Sequence, residues 1–121
     1  IGMLLWIARC ARPDLAFAVS RLGTRVARWD QACDDALHRL ICYIKRHIYY
    51  DITSTYNFKD KLDTLKAEIF TDASLPNGKS QSGYILCLTG AEGTFLPIAW
   101  ASSKQPITAD STPASEMIAA H

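Results

Sequence analysis

The spacing of apolar residues changes once along this chain, close to residue 49, and that change limits the folds open to it. Before it, apolar residues recur every three or four positions, which indicates amphipathic helices with one buried face. After it, short runs rich in β-branched and aromatic residues indicate extended segments. The helical positions are Leu15, Ala18, Val19, Leu22 and Val26 in a first helix, and Ala36, Leu37, Leu40, Ile41, Ile44 and Ile48 in a second.

The sequence also predicts where helices begin in residues 1–48. Pro13 suits a first helical turn, where its missing N–H is not needed. Asp30 follows a break at Trp29 and can cap the second helix by accepting a backbone N–H. Residues 1–9 favour a further short helix. We therefore expect a helical hairpin or a small helical subdomain.

Residues 49–121 carry the signals of an antiparallel meander. Strands are predicted over 67–71, 83–88 and 95–101, after an extended segment over 49–58. The Asn77-Gly78 pair in the first connection favours a tight hairpin turn.

A final helix is predicted to start at Thr112, as N-cap, with Pro113 at the first helical position. The expected fold class is α+β: an N-terminal helical hairpin, a three-stranded antiparallel meander and the start of a helix.

Charge is unevenly distributed along the chain. Residues 1–48 hold eight basic and four acidic residues, whereas 49–121 hold five and eight. A basic excess favours contact with phosphate groups of nucleic acid, and an ordinary solvated helix face is the alternative. The candidate nucleic-acid contacts are Arg21, Arg25 and Arg28 in the helical part, and Lys104 and Gln105 before the final helix.

Composition excludes several classes of protein. Hydrophobic content of 49% and charged content of 21% fit a globular domain. No apolar run approaches the roughly 18 residues of a membrane-spanning helix, so no membrane partner is expected. The four cysteines show neither C-x-x-C spacing nor a metal-finger pattern, so we expect small buried side chains in a reducing, intracellular compartment.

Two carboxylates stand where distant parts of the chain can meet. Asp72 follows the first predicted strand, and Glu116 lies in the first turn of the final helix. A helix packed across a meander can bring these acids together, and such oxygen ligands suit Mg²⁺ or Mn²⁺. Each acid also has a structural interpretation, Asp72 as a turn residue and Glu116 as a complement to the helix dipole.

Six motifs occur in a fixed order along almost the whole chain. Together they resemble the ribonuclease H domain of Ty1/copia-type retrotransposon polyproteins, preceded by the segment that joins it to the reverse transcriptase. The motifs are LLWIARCARPDLAFAVSRL, ALHRLICYIKRHIYYDI, FTDAS, SQSGYILCL, IAWASSKQ and STPASEMIAA.

The resemblance implies an activity and a site. Ribonuclease H domains cleave the RNA strand of an RNA–DNA hybrid with two Mg²⁺ (or Mn²⁺) ions held by acidic residues. The first family acid matches Asp72 and the second matches Glu116. The match to Glu116 treats Pro113 as an insertion, and an alignment without a gap places the second acid at Ser115 instead.

The resemblance also implies partners and a place in a longer polypeptide. Residues 1–48 correspond to a thumb or connection segment of the reverse transcriptase, and 49–121 to the N-terminal part of a ribonuclease H-like domain. Expected partners are the RNA–DNA hybrid, the upstream polymerase and a missing C-terminal part that carries the third acid. The expected location is the cytoplasm, within virus-like particles, or the nucleus.

A fragment of this kind should be inactive by itself. The alternative interpretation is a decayed or co-opted module without catalysis, which binds nucleic acid or protein.

Overall fold

The computed structural model describes residues 1–74, 80–106 and 111–120. The chain forms two compact units, Ile1–Ile52 and Thr53–His121, called here the helical unit and the sheet unit. Helices come first and an antiparallel sheet follows, so the predicted α+β class is confirmed.

The helical unit contains α1 (Gly2–Cys10), α2 (Ala16–Gly23) and α3 (Gln31–Arg46), with single 3-10 turns at Pro13–Leu15 and Val26–Arg28. Because α1 packs against α2, the unit is a small helical subdomain and not a simple two-helix hairpin. The predicted short helix at the N-terminus is thereby confirmed. The core of the helical unit consists of Ala8, Leu15, Val19, Leu22, Cys33 and Leu40.

Two helix boundaries test the predictions. Asp30 is the N-cap of α3, where its carboxylate accepts the backbone N–H of Cys33 at 2.9 Å, as predicted. The preceding helix was expected to reach Trp29 but ends at Gly23. Glycine is a poor helix former, and Thr24 Oγ1 donates to the Arg21 carbonyl at 2.8 Å beside this helix end. Val26 is consequently exposed and not on a buried face.

A buried arginine ties the turn before α2 to the end of α3. Arg12 is 5% exposed and forms two hydrogen bonds with the Asp14 carboxylate, of 2.9 and 2.7 Å. Its third nitrogen donates to the His47 carbonyl at 2.9 Å. The Arg12 hydrogen bond lowers the pKa of Asp14.

The sheet unit contains β1 (Lys66–Ser74), β2 (Gln81–Thr89) and β3 (Phe95–Lys104). They pair antiparallel in the order β1-β2-β3, which confirms the predicted meander. Asn77-Gly78 lies outside the described residues. Of the extended segment predicted over 49–58, only Thr55 is paired, in a single bridge with Phe95.

A buried aspartate joins the segment before β1 to the turn between β2 and β3. Asp60 is 4% exposed, and its carboxylate accepts the backbone N–H groups of Glu92 and Thr94, each at 3.1 Å. Hydrogen bonding from the Thr94 side chain is the largest influence on the pKa of Asp60, which is lowered. Gly90 lies so close to this carboxylate that a β-carbon there would overlap it.

The last helix, α4 (Thr112–Ala120), contacts β1 and β2. Its start lies one residue earlier than predicted. Ser111 and not Thr112 acts as the cap, because the Ser111 carbonyl accepts the N–H of Ser115 at 3.0 Å and its hydroxyl accepts that of Ala114 at 3.4 Å.

The four cysteines do not share one environment. Cys33 and Cys87 are buried, as expected for small apolar side chains. Cys10 and Cys42 are exposed, so the prediction that cysteines are buried is wrong for these two. Both lie in helices, α1 and α3, on faces that the core does not cover.

Candidate active site

Asp72 lies inside β1 and not at its end, because the strand continues to Ser74. The residue pairs with Gly83 of β2 and is exposed. One carboxylate oxygen accepts the backbone N–H of Ala73 at 2.9 Å. The strand is longer than the apolar run that predicted it, since backbone pairing continues through the polar residues Asp72 to Ser74.

A glutamine that links β2 to α4 fixes where the last helix begins. The side-chain nitrogen of Gln105 donates to Ser82 Oγ at 2.7 Å and to the Ser115 carbonyl at 2.8 Å. Gln105 is 5% exposed. Its amide therefore holds the first turn of α4 against the face of the sheet on which Ser82 lies.

This arrangement restricts how the two predicted acids can approach each other. Ser82 pairs with Ala73, so α4 begins over the face that Ala73 occupies. Side chains alternate along a strand, which places Asp72 on the other face. The helix that carries Glu116 therefore lies over the face opposite to Asp72, and within the described residues no hydrogen bond or ion pair joins α4 to the Asp72 side chain.

The two candidates for the predicted second acid position differ in exposure. Ser115 is fully buried, and its hydroxyl donates to the Thr112 carbonyl at 2.8 Å. Glu116, the next residue, is exposed. Of Ser115 and Glu116, only Glu116 presents its side chain to solvent, and the helix that carries it contacts β1.

The donor chemistry of the two acids fits a divalent cation in part. Asp72 and Glu116 supply exposed carboxylate oxygens, which Mg²⁺ prefers. Within residues 1–74, 80–106 and 111–120, however, no three His, Cys, Asp or Glu side chains come together as a metal site. The two acids could contribute ligands, but a two-ion site needs more than they provide.

The predicted nucleic-acid contacts fall into two groups. Arg21, Arg25 and Arg28 are exposed in the helical unit, and the first two line a cleft between α2 and α3. In the sheet unit, Lys104 is exposed at the end of β3. Gln105 is buried, and both bonds of its amide nitrogen are internal.

Sequence reasoning missed Ser82, Ser115 and Asp60 as organising residues. Ser82 and Ser115 gave no usable signal, because serine is common in loops, strands and helix starts alike. Asp60 lies in the polar run KDKLDTLK, which carries no helix or strand pattern. Only its contacts with residues more than thirty positions away identify it as buried.

Comparisons with known proteins identify no relative of this chain. No family model matches the sequence, no curated protein matches it, and no solved structure matches the fold. Among the helices of the described residues, none has the length and apolar character that crossing a membrane requires.

Proposed function

We propose that this chain is part of a retrotransposon reverse transcriptase/ribonuclease H polyprotein, which cleaves the RNA strand of an RNA–DNA hybrid. The structural observation that supports the proposal is that the two acids lie on elements in contact, β1 and α4, although α4 lies over the face opposite to Asp72. A three-stranded antiparallel meander presents Asp72 from its first, edge strand, and the following helix contacts that strand and exposes Glu116 near its start. The ordered sequence motifs point to the same family.

In this proposal, Asp72 and Glu116 hold divalent cations together with acids that lie elsewhere in the polyprotein. Bound Mg²⁺ supplies positive charge that stabilises the developing negative charge on a phosphodiester. Gln105 is a positioning residue, since its two hydrogen bonds set the start of α4 relative to the sheet.

The basic residues bind nucleic acid in this proposal and do not take part in cleavage. Arg21, Arg25 and Arg28 of the helical unit, and Lys104 of the sheet unit, contact phosphates without reading sequence. Binding of this kind weakens steeply as salt concentration rises. Recognition of the hybrid then depends on helix shape and on the 2′-hydroxyl groups of the RNA strand.

The experiment uses the longer polyprotein that the proposal implies, including the third acid. We expect a polypeptide that includes it to cleave a hybrid in the presence of Mg²⁺ and Asp72→Asn to abolish cleavage. Glu68→Gln is the matched control, because Glu68 lies on the same face of the same strand and is also exposed. Equal loss of activity in both variants would contradict the role of Asp72.

A second candidate function is a non-catalytic module that binds nucleic acid or protein. It is favoured by the exposed Arg21, Arg25 and Arg28 of the helical unit, which can contact phosphates without a metal ion. If the longer polypeptide binds the hybrid equally well with and without Mg²⁺ and never cleaves it, this second function replaces the first. Robust cleavage by residues 1–121 alone would refute the requirement for further acids.

A further inference from the structure

The helical unit contains a cleft that the candidate active site does not use. It lies between α2 and α3 and has a volume of about 310 Å³. Three alanines line it, and larger side chains at these positions would fill the space between the helices. They are Ala18 on α2, and Ala32 and Ala36 on α3. The volume is at the small end of protein ligand sites, which are roughly 300–1,000 Å³.

The charged side chains that line this cleft are both cationic. Arg21 of α2 and Arg25, two residues beyond the end of this helix, both line the cleft. The Arg25 guanidinium lies 3.7 Å from the Asp30 carboxylate, an exposed and therefore weak ion pair, and 4.0 Å from the sulfur of Cys33. Arg21 is exposed, and within the described residues its guanidinium makes no hydrogen bond or ion pair.

An aromatic side chain completes the lining. Phe17 lies one turn before Arg21 and is 51% exposed, so much of its ring is free for another ring to stack on. Aromatic rings beside cationic side chains are the usual means of binding single-stranded nucleic acid without sequence preference.

We propose that this cleft receives one unstacked base of a single-stranded nucleic acid. The base enters the apolar space between α2 and α3 and stacks on Phe17, while Arg21 and Arg25 contact the neighbouring phosphates. The inference rests only on the nucleic-acid binding of the proposed function and not on cleavage.

The shape of the cleft favours this ligand over two others. A duplex keeps its bases stacked inside, so it can offer phosphates to the arginines but no base to the cleft. An acidic amphipathic peptide helix requires an extended groove for several anchoring side chains. A space of about 310 Å³ accommodates one flat ring.

The first test measures binding of the full 121-residue chain to a short single strand with an internal 2-aminopurine. We expect its fluorescence to change on binding, and to stay constant when the same strand is paired in an RNA–DNA hybrid. Arg21→Ala and Arg25→Ala should each weaken binding by about fivefold at low salt. Arg39→Ala is the matched control, since Arg39 is an exposed arginine of α3 outside the cleft and should change affinity by less than about twofold.

The second test asks whether the base itself is bound. Wild-type protein should bind the intact strand about tenfold more tightly than a strand with an abasic site at that position. Ala36→Leu, which fills the cleft with a good helix former, should abolish this preference and leave the affinity for the abasic strand unchanged. If Ala36→Leu fails to fold, the comparison of the two strands on wild-type protein still decides the question.

Equal affinity of wild-type protein for both strands would overturn the inference. So would binding of a glutamate-rich peptide that Ala36→Leu abolishes while oligonucleotide binding persists. The cleavage assay with Asp72→Asn is independent of these measurements. Absence of cleavage alone contradicts the proposed function. Absence of the base preference alone contradicts the proposed binding of a base in the cleft.

Discussion

The helical unit and the sheet unit bury different kinds of side chain. The helical unit has an apolar core, to which α1, α2 and α3 all contribute. Among the described residues of the sheet unit, Cys87 is the one buried apolar side chain, and the other buried side chains are polar. They are Asp60, Ser80, Gln81, Thr94, Gln105 and Ser115.

The two units are therefore stabilised in different ways. Burial of apolar surface stabilises the helical unit, whereas hydrogen bonds between distant segments organise the sheet unit. Ile69 and Phe70 of β1 remain 62% and 54% exposed, on opposite faces of the sheet. Such uncovered apolar surface suits a sheet that packs against a further chain segment or a partner.

The largest expected effect is a difference in unfolding free energy between one truncated apolar side chain in each unit. Leu15→Ala should lower the free energy of unfolding of the helical unit by about 3–5 kcal/mol, because Leu15 is fully buried and its truncation leaves a cavity. Ile69→Ala in the sheet unit should cost less than about 1 kcal/mol, since Ile69 is mostly exposed. Urea unfolding followed by amide hydrogen exchange in each unit measures both. Similar losses for the two variants would show that β1 is covered.

The difference between an apolar interior in the helical unit and a polar interior in the sheet unit also explains which features the sequence predicts. The apolar spacing predicted much of the core of the helical unit, because Val19 and Leu22 of α2 and Leu15 of the turn before it are indeed buried. It failed at Val26, because Gly23 ends the helix first, and at Ile41 and Ile48, which are 51% and 65% exposed; Ile48 lies beyond the end of α3 at Arg46.

The strands of the sheet unit were recognisable from their composition, but the polar contacts that organise it were not. The bonds of Asp60 and Gln105 join residues between 10 and 34 positions apart. No local pattern encodes such contacts. Asp72 and Glu116 were identified through family motifs, and the sequence did not reveal that β1 continues past Asp72.

An intermediate effect is expected at the buried aspartate of the sheet unit. Gly90→Ala should destabilise this unit by about 1–3 kcal/mol, because a β-carbon there overlaps the Asp60 carboxylate. Gly83→Ala is the control, since its β-carbon would meet only the Ala101 carbonyl, at an ordinary 3.9 Å. Thermal unfolding of the three proteins tests the difference. If Gly90→Ala is as stable as Gly83→Ala, the segment around Asp60 does not pack against this turn in solution.

The smallest expected effect concerns the response of the two units to acid and to salt. The pKa of Asp14 is lowered chiefly by its hydrogen bonds with Arg12, and that of Asp60 chiefly by bonding from Thr94. A carboxyl group with a lowered pKa stabilises the fold above its unfolded-state value, near 3.9, and that stabilisation is lost as pH falls through the folded-state value. Both units should therefore lose stability below about pH 4.

The variant Asp14→Asn separates the contribution of Asp14 to the acid dependence of stability from that of Asp60. It should remove about 1 kcal/mol from the helical unit at neutral pH, because Asp14 is partly exposed and solvent screens its charge. It should also flatten the acid dependence of that unit and leave that of the sheet unit unchanged. Added salt should reproduce part of this loss in the helical unit, where the bond joins two charges, and much less in the sheet unit, where Asp60 accepts neutral N–H groups. Equal salt dependence of the two units at pH 7 would mean that the Arg12–Asp14 pair contributes little, and that apolar burial alone accounts for the stability of the helical unit.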